Sequence, residues 1–143
     1  MKIRIKRFDK NHPLPEYKTE GAAAFDIFAR ETTEIPPQGI GYIPLNIALE
    51  TPEGHFLLIA ARSSTHKKGL ILANGIGIVD PDYRGDEDEC KAAYFNFTSK
   101  PVIVEKGERI AQGTFIKVEK ADWQETDILG NKTRGGFGST GNK

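Results

Sequence analysis

A single carboxylate, Asp80, ends an apolar segment at residues 76–79 near the middle of the chain. Pro81 and Asp82 supply turn chemistry directly after it, and the aromatic ring of Tyr83 follows. The pattern predicts a strand that delivers Asp80 to the mouth of a hairpin, where a carboxylate can hold water as a general base. The neighbouring ring can pack a sugar or a base. A hairpin whose aspartate caps the turn and whose tyrosine packs on the core explains these residues better when they are taken alone.

Arg62, Ser63 and Ser64 follow a strand-like segment and bring a guanidinium group and two hydroxyls to one point. Beside free backbone N–H groups, such side chains form a natural cradle for phosphate. A polar strand end is the simpler interpretation and, for three residues, the commoner one. The sequence also predicts a short helical turn over residues 64–68, with Ser63 near its N-cap.

Two further polar side chains, Asp26 and Gln112, stand in or beside apolar segments. A buried Asp26 would need hydrogen-bonding partners or a metal-bound water molecule, and a satisfied salt bridge is the plainer alternative. Gln112 places an amide at the end of a turn, where it can serve a ligand or simply belong to an ordinary hairpin.

A glycine-rich stretch at residues 133–141 is the last segment with chemical potential. It carries Arg134, Phe137, Gly138, Ser139 and Thr140. Glycines let backbone amides approach phosphate oxygens closely. The spacing of a P-loop is absent, and the stretch does not open a helix after a strand, which excludes the two common nucleotide-binding loops. A flexible arm that orders over bound phosphate and a disordered tail both fit this composition.

The elements that must position these residues are short strands separated by turns. Strand-like segments lie at residues 2–7, 40–49, 55–60, 102–105 and 109–118, whereas residues 21–29 fit a helix or a strand. Many strands at close spacing without a helical period predict an all-β sandwich or barrel. From residue 127 the chain is polar and rich in glycine, as disordered segments are.

Composition excludes several classes of function. The chain has 143 residues, enough for one domain, and its 20 Lys and Arg balance its 20 Asp and Glu. Because the charges cancel, we expect no nucleic-acid or membrane partner. The lone cysteine, Cys90, cannot form an intrachain disulfide and fits a reducing compartment. The N-terminus alternates polar and apolar residues, unlike a signal peptide or a membrane span, which predicts a cytoplasmic protein.

Together, the segments resemble the five motifs of the trimeric dUTPase family in order and spacing. The matching segments are residues 21–26, 62–64, 77–85, 107–112 and 136–141. Ala61 stands where the second motif usually has proline. The resemblance spans nearly the whole chain and implies an all-β, distorted jelly-roll domain of the β-clip type over residues 1–126. It further implies a homotrimer with shared active sites and a C-terminal arm, residues 127–143, that closes over the active site.

The implied reaction is hydrolysis of dUTP to dUMP and pyrophosphate with Mg²⁺. By position, Asp80 would deprotonate the water that attacks the α-phosphate. Tyr83 would lie against the deoxyribose and leave no room for a 2′-hydroxyl. Asn74, with the backbone near Gly77, would bind the uracil edge, and Phe137 would cover the uracil ring.

The remaining implied contacts concern the triphosphate. The residues assigned to phosphate or substrate binding are Arg62, Ser63, Ser64, Gln112, Arg134, Gly138, Ser139 and Thr140. Asp26 would touch Mg²⁺ only through water. The family usually places its arm arginine five residues before the phenylalanine, where this chain has Lys132. Arg134 is favoured for the γ-phosphate because its planar fork binds phosphate in a bidentate manner.

Two alternatives and one unexplained feature remain. A related dCTP deaminase would need a glutamate about ten residues after Asp80, and Cys90 stands there. A non-catalytic, nucleotide-binding regulatory trimer would have no need of the base Asp80. The acidic run at residues 86–89 is denser than the family pattern, and we interpret it as a solvated hairpin edge that blocks edge pairing.

Overall fold

The computed structural model describes residues 1–141, so Asn142 and Lys143 of the predicted arm lie outside the described residues. This part of the chain contains eleven strands and a single short helical element, a 3₁₀ turn at Thr65–Lys68. The strands are β1 (Ile5–Arg7), β2 (Phe25–Phe28), β3 (Thr33–Ile35), β4 (Ile40–Pro44), β5 (Ile47–Leu49), β6 (His55–Ala61), β7 (Leu70–Leu72), β8 (Gly77–Val79), β9 (Lys91–Asn96), β10 (Val102–Val104) and β11 (Arg109–Lys117). No helix among the described residues is long and apolar enough to cross a membrane.

All strand pairing is antiparallel, and it joins strands that are distant in sequence. The largest sheet has the order β2-β11-β6-β8, and a second sheet has the order β4-β9-β7. Two strand pairs, β1-β5 and β3-β10, complete the fold. Within residues 1–141 no strand pairs with the next strand along the chain. The predicted all-β class is confirmed.

The two larger sheets enclose one apolar core. Leu57 and Ile59 point inward from β6, and Ile43 and Tyr94 contribute from β4 and β9. Their nearly complete burial stabilises the fold by about 1.5–3 kcal/mol for each large aliphatic side chain. The hydroxyl of Tyr94 donates a hydrogen bond to the carbonyl of Ile110 (2.6 Å), so its burial leaves no unpaired polar atom.

The predicted strand over residues 40–49 is two strands, because Asn46 adopts a left-handed backbone conformation with φ 69°. Its side-chain amide binds the backbone of Asp9 through two hydrogen bonds. Its own backbone N–H donates to the Glu89 carboxylate (3.0 Å). Partners so far away in sequence hold a kink that the local pattern does not show.

The predicted hairpin after Asp80 is wrong. Strand β8 pairs with β6, whereas β9 belongs to the second sheet, so the segment between them crosses from one sheet to the other. The acidic run is therefore not a hairpin edge, and its last member, Glu89, is buried. Elsewhere, the ambiguous segment at residues 21–29 forms strand β2, and Ser64 rather than Ser63 is the N-cap of the 3₁₀ turn.

We expect Gly69→Ala to lower the free energy of unfolding more than Gly54→Ala. Both glycines have positive φ, 87° and 77°, a conformation that costs alanine about 1–2 kcal/mol. At Gly69 the added methyl group would also overlap the methyl group of Thr98, whereas nothing lies within 4 Å of it at Gly54. Urea unfolding at one protein concentration measures both losses. Equal losses would contradict the close packing at Gly69.

Candidate active site

A buried carboxylate, Asp26, lies on β2 and holds two arginines. Its Oδ1 accepts a hydrogen bond from Nε of Arg62 (3.0 Å), and its Oδ2 accepts one from Nη1 of Arg109 (3.2 Å). Asp26 is only 9% exposed, and these bonds satisfy a charge that would otherwise be costly to bury. Of the predicted alternatives for Asp26, the salt bridge is the one present in the structure.

Arg109 joins this cluster because strand β11 contains an irregularity. Its register against β2 shifts between Arg109 and Ala111, whereas Gln112 pairs directly with Asp26. Residues three apart in a regular strand point to opposite faces, and a bulge of this kind brings them to one face. Arg109 is not among the predicted site residues, although it lies in the same segment, residues 107–112, as Gln112.

The cluster suits a polyanion. Two guanidinium groups share one carboxylate, and their side chains remain 30% exposed for Arg62 and 42% exposed for Arg109. Ser63 and Ser64 follow Arg62 and are exposed, and the Ser64 side chain makes no capping hydrogen bond. A local excess of positive charge next to exposed hydroxyls is the chemistry that phosphate groups require.

A cavity of about 470 Å³ opens beside the cluster. It is lined by Ala22, Ala23, Ala24, Leu58, Ala60, Gln112, Gly113 and Thr114. The amide of Gln112 donates to the carbonyl of Ala61 (2.9 Å), which fixes its orientation at the cavity wall. The volume falls in the range of pockets that bind small molecules.

The carboxylate of Asp80 lies far from this cluster. Val79, the residue before it, pairs with Leu57 near the start of β6, whereas Arg62 follows the far end of the same strand. At about 3.3 Å for each residue, roughly 20 Å of β6 separates the two groups. Asp80 is exposed, and its side chain makes no ion pair or hydrogen bond with any other described residue.

Tyr83 lies in the turn after Asp80 and is fixed at both ends. Its backbone N–H donates to the carbonyl of Asp80 (3.1 Å), and its hydroxyl donates to the carbonyl of Glu89 (3.0 Å). The residue as a whole remains 42% exposed. Partial burial, followed by the negative charge of Asp88, raises the pKa of Tyr83, so the hydroxyl stays a donor at neutral pH.

Asn74 and Gly77 lie along the approach to Asp80. Asn74 is exposed in the connection between β7 and β8, and Gly77 begins β8 opposite Ile59. A side chain at Gly77 would place its Cβ 3.2 Å from Cβ of Ile59, so the backbone is accessible there only without one. Because β8 runs antiparallel to β6, Gly77 lies midway between the start of β6, where Asp80 is, and Arg62 beyond its far end. Asn74 precedes the end of β8 that is opposite to Asp80.

The glycine-rich residues lie apart from both groups. No strand forms between residues 118 and 141, and none of the hydrogen bonds or ion pairs described for residues 119–141 reaches the body of the chain. The predicted contacts there are Arg134, Phe137, Gly138, Ser139 and Thr140, together with Lys132. Phe137 is fully exposed in a turn with φ 52°. One chain thus carries three groups of predicted site residues that it does not bring together.

Fold and site together define a class of all-β protein with arginine and serine side chains grouped at strand ends. A family model described as dUTPase matches residues 10–141, and the chain belongs to the dUTPase family. The deoxyuridine 5′-triphosphate nucleotidohydrolase of Hydrogenobaculum sp. is 41% identical over 147 residues and aligns with 100% of both chains. The protein of the same name from Dictyoglomus turgidum is 38% identical over 148 residues and aligns with 99% of both chains.

A solved structure supports the same assignment. The dUTPase from Streptococcus mutans superimposes with a TM-score of 0.76 at 31% identity, covering 83% of this chain and 98% of that chain. The predicted distorted jelly-roll class is confirmed by this likeness and by the sheet order described above.

We expect Asp26→Asn to lower the free energy of unfolding by about 1–3 kcal/mol, since it leaves two neighbouring guanidinium groups without their shared charge. The side chain keeps its shape, so the loss reports charge rather than packing. Glu50→Gln is the control, because Glu50 pairs with an 86% exposed Arg4 and should change stability by less than about 1 kcal/mol. Equal losses in urea unfolding would show that Asp26 does not organise the cluster.

Proposed function

We propose that this chain is a dUTP diphosphatase, which hydrolyses dUTP to dUMP and pyrophosphate. The observation that carries the proposal is the exposed carboxylate of Asp80 at the end of β8, in one turn with Tyr83 and without an ion-pair partner among residues 1–141. A protein that only binds nucleotides has no need of such a base. Relatives that align with almost the whole chain are named deoxyuridine 5′-triphosphate nucleotidohydrolase, which supports the choice of substrate.

In the proposed mechanism Asp80 orients one water molecule and accepts its proton. The water oxygen bonds to the α-phosphorus, the bond from that phosphorus to the bridging oxygen breaks, and pyrophosphate leaves. Arg62, Ser63, Ser64 and Gln112 hold the phosphates, and the arginine cluster neutralises charge that develops on them. The chain therefore contributes position and charge rather than a covalent intermediate.

The nucleoside is assigned to the group around β8. Tyr83 packs against the deoxyribose, and a 2′-hydroxyl would collide with its ring. Asn74 and the backbone at Gly77 bind the uracil edge. Phe137 from the arm covers the uracil ring, and Gly138, Ser139 and Thr140 add substrate contacts. Arg134, or Lys132 beside it, meets the γ-phosphate.

Mg²⁺ completes the proposal. Within residues 1–141 no group of three or more His, Cys, Asp or Glu side chains could hold a metal ion directly. Each oxygen of Asp26 accepts one guanidinium hydrogen bond, which leaves a lone pair for a metal-bound water molecule. These residues fit an ion held mainly by phosphates and water, as Mg²⁺ prefers. When bound, it would neutralise phosphate charge.

A homotrimer with shared sites is part of the same proposal. A base must lie within hydrogen-bond reach of its water, so Asp80 and the phosphate-binding cluster must meet at one α-phosphate. Roughly 20 Å of strand separates them in one chain, which supports a site assembled from two chains. Closed threefold symmetry gives every subunit an equivalent neighbour, and the unattached tail can reach a third group of contacts.

A dCTP deaminase is not favoured. Cys90, at the place where the deaminase needs a glutamate, is 2% exposed. Burial, followed by the charge of Glu89, raises the pKa of the Cys90 thiol to about 12, so it is neutral and inert. A buried free thiol also accords with the proposed cytoplasmic location.

We expect Asp80→Asn to bind nucleotide and to lose about 10²–10⁴-fold in turnover, since the shape of the side chain survives and the base does not. Pyrophosphate release is measured with dUTP, dCTP, UTP and dTTP side by side, with wild type showing preference for dUTP. Near-normal turnover by Asp80→Asn would remove Asp80 from the mechanism. Wild-type preference for another nucleotide would reject the assigned substrate.

We expect two inactive proteins to complement each other when refolded together. One carries Asp80→Asn with an intact tail, and the other keeps Asp80 but ends at Gly130. If the arm serves another chain's Asp80, random mixing restores about one quarter of wild-type sites, by counting arrangements on a closed threefold ring.

The matched control mixes wild type with a chain that carries both changes. Arms that cross between chains give about one quarter of wild-type sites in both mixtures, whereas arms that close over their own chain give none in the first mixture and about one half in the second. Subunit exchange is confirmed with a tag on one partner. Exchange without restored activity in the first mixture would refute the shared arm.

A further inference from the structure

The acidic run ends in a buried ion pair. Glu89 is 7% exposed, and its carboxylate accepts hydrogen bonds from Nε (2.7 Å) and Nη2 (3.0 Å) of Arg30. The same carboxylate accepts the backbone N–H of Asn46 (3.0 Å). The charge is thus fully paired, and the bidentate fork fixes the position of Glu89 as well as its charge. This pairing raises the pKa of Arg30, which keeps the guanidinium charged.

The backbone of Glu89 holds Tyr83. The backbone carbonyl of Glu89 accepts the hydrogen bond from the Tyr83 hydroxyl (3.0 Å). The next residue, Cys90, is fixed to the core, because its N–H donates to Ile47 (2.8 Å) and its carbonyl accepts from Leu45 (2.9 Å). The acceptor for the Tyr83 hydroxyl is therefore part of the rigid core.

The loop between Tyr83 and Glu89 is closed by local bonds. The N–H of Gly85 donates to the carboxylate of Asp88 (2.7 Å), and the N–H of Asp88 donates to the carbonyl of Gly85 (3.1 Å). Arg84 donates to the carbonyls of Pro81 and Thr51 (2.6 Å each). These bonds fold the loop so that Glu89 lies next to Tyr83. The acidic run therefore connects Tyr83 with the residue that accepts its hydroxyl hydrogen bond.

We propose that Glu89, held by Arg30, is a positioning residue that fixes the ring of Tyr83 and thereby sets the preference for deoxyribose over ribose. The inference rests on the proposed function, in which Tyr83 contacts the sugar. A ring that excludes a 2′-hydroxyl by its volume discriminates only while it cannot turn away. Tyr83 is 42% exposed on a loop, so side-chain packing alone leaves it room to turn. The bond to Glu89 supplies the missing restraint.

The test compares kcat/KM for dUTP with kcat/KM for UTP in Tyr83→Phe. This change keeps the ring and removes only the hydroxyl. We expect the dUTP-to-UTP ratio to fall roughly three- to tenfold, the effect of one net hydrogen bond. Tyr94→Phe is the matched control, because Tyr94 also donates to a backbone carbonyl, that of Ile110 in the core. The control should leave the ratio unchanged even where it lowers stability.

A double-mutant cycle separates positioning from a general loss of structure. Glu89→Gln weakens the ion pair with Arg30 and should lower the ratio in the same direction. Since Glu89 acts through the Tyr83 hydroxyl, Glu89→Gln added to Tyr83→Phe should cause no further fall. Additive losses would overturn the inference. Should Glu89→Gln fail to fold, Arg30→Lys keeps the charge, removes the bidentate fork and completes the same cycle.

Tyr83→Ala distinguishes failure of the inference from failure of the proposed function. Loss of the ratio in Tyr83→Ala together with an unchanged ratio in Tyr83→Phe leaves the sugar contact standing and overturns the role of Glu89. An unchanged ratio in Tyr83→Ala removes Tyr83 from sugar selection. It then rejects both the proposed sugar contact of Tyr83 and the positioning role of Glu89. A wild-type protein that neither binds nor hydrolyses dUTP rejects the proposed function itself, and with it the inference that rests on that function.

Discussion

Strand β6 sets the separation on which the rest of the site depends. It pairs along its length with β11 and, between Leu57 and Ile59, with β8. Because β8 runs antiparallel to β6, the end of β8 that carries Asp80 lies at the start of β6, whereas Arg62 leaves its far end. Two ladders of backbone hydrogen bonds hold this arrangement. No change of side-chain rotamer within one chain can bridge the distance between Asp80 and Arg62. This separation is the reason why the proposed triphosphate site lies between two chains.

Two buried carboxylates organise the two groups of site residues, the arginine cluster and the turn with Tyr83, in different ways. Asp26 pairs with two arginines that stay partly exposed, which leaves a local positive excess for a ligand. Glu89 pairs with one arginine and a backbone N–H, which leaves no charge to spare. Removing one partner of either pair would leave an uncompensated charge in a poorly solvated place, which is strongly destabilising. The first arrangement is suited to binding, and the second is suited to holding a neighbour in place.

The predictable part of the structure was the part governed by local pattern. Alternation of apolar residues placed β6 and β11 to within a residue of their observed bounds, since one face of each strand is buried. The kink at Asn46 and the burial of Glu89 depend on partners dozens of residues away, which no local pattern contains. Arg109 was missed for the same reason, because its partner lies 83 residues earlier and a strand irregularity turns it toward the cluster.

The chain has no net charge, yet its proposed ligand is a polyanion. The proposed assembly resolves this, because it would bring the arginine cluster and the cations of the tail to one place. The tail exposes Trp123 (89%) and Phe137 (115%) and gains little from its own contacts, so ordering it costs conformational entropy. In the proposed site, contacts with a multiply charged ligand, enclosed where water is scarce, offset that cost. In the proposed reaction the monophosphate product carries fewer charges than the substrate, so it would offset less of this entropic cost and the tail would open again.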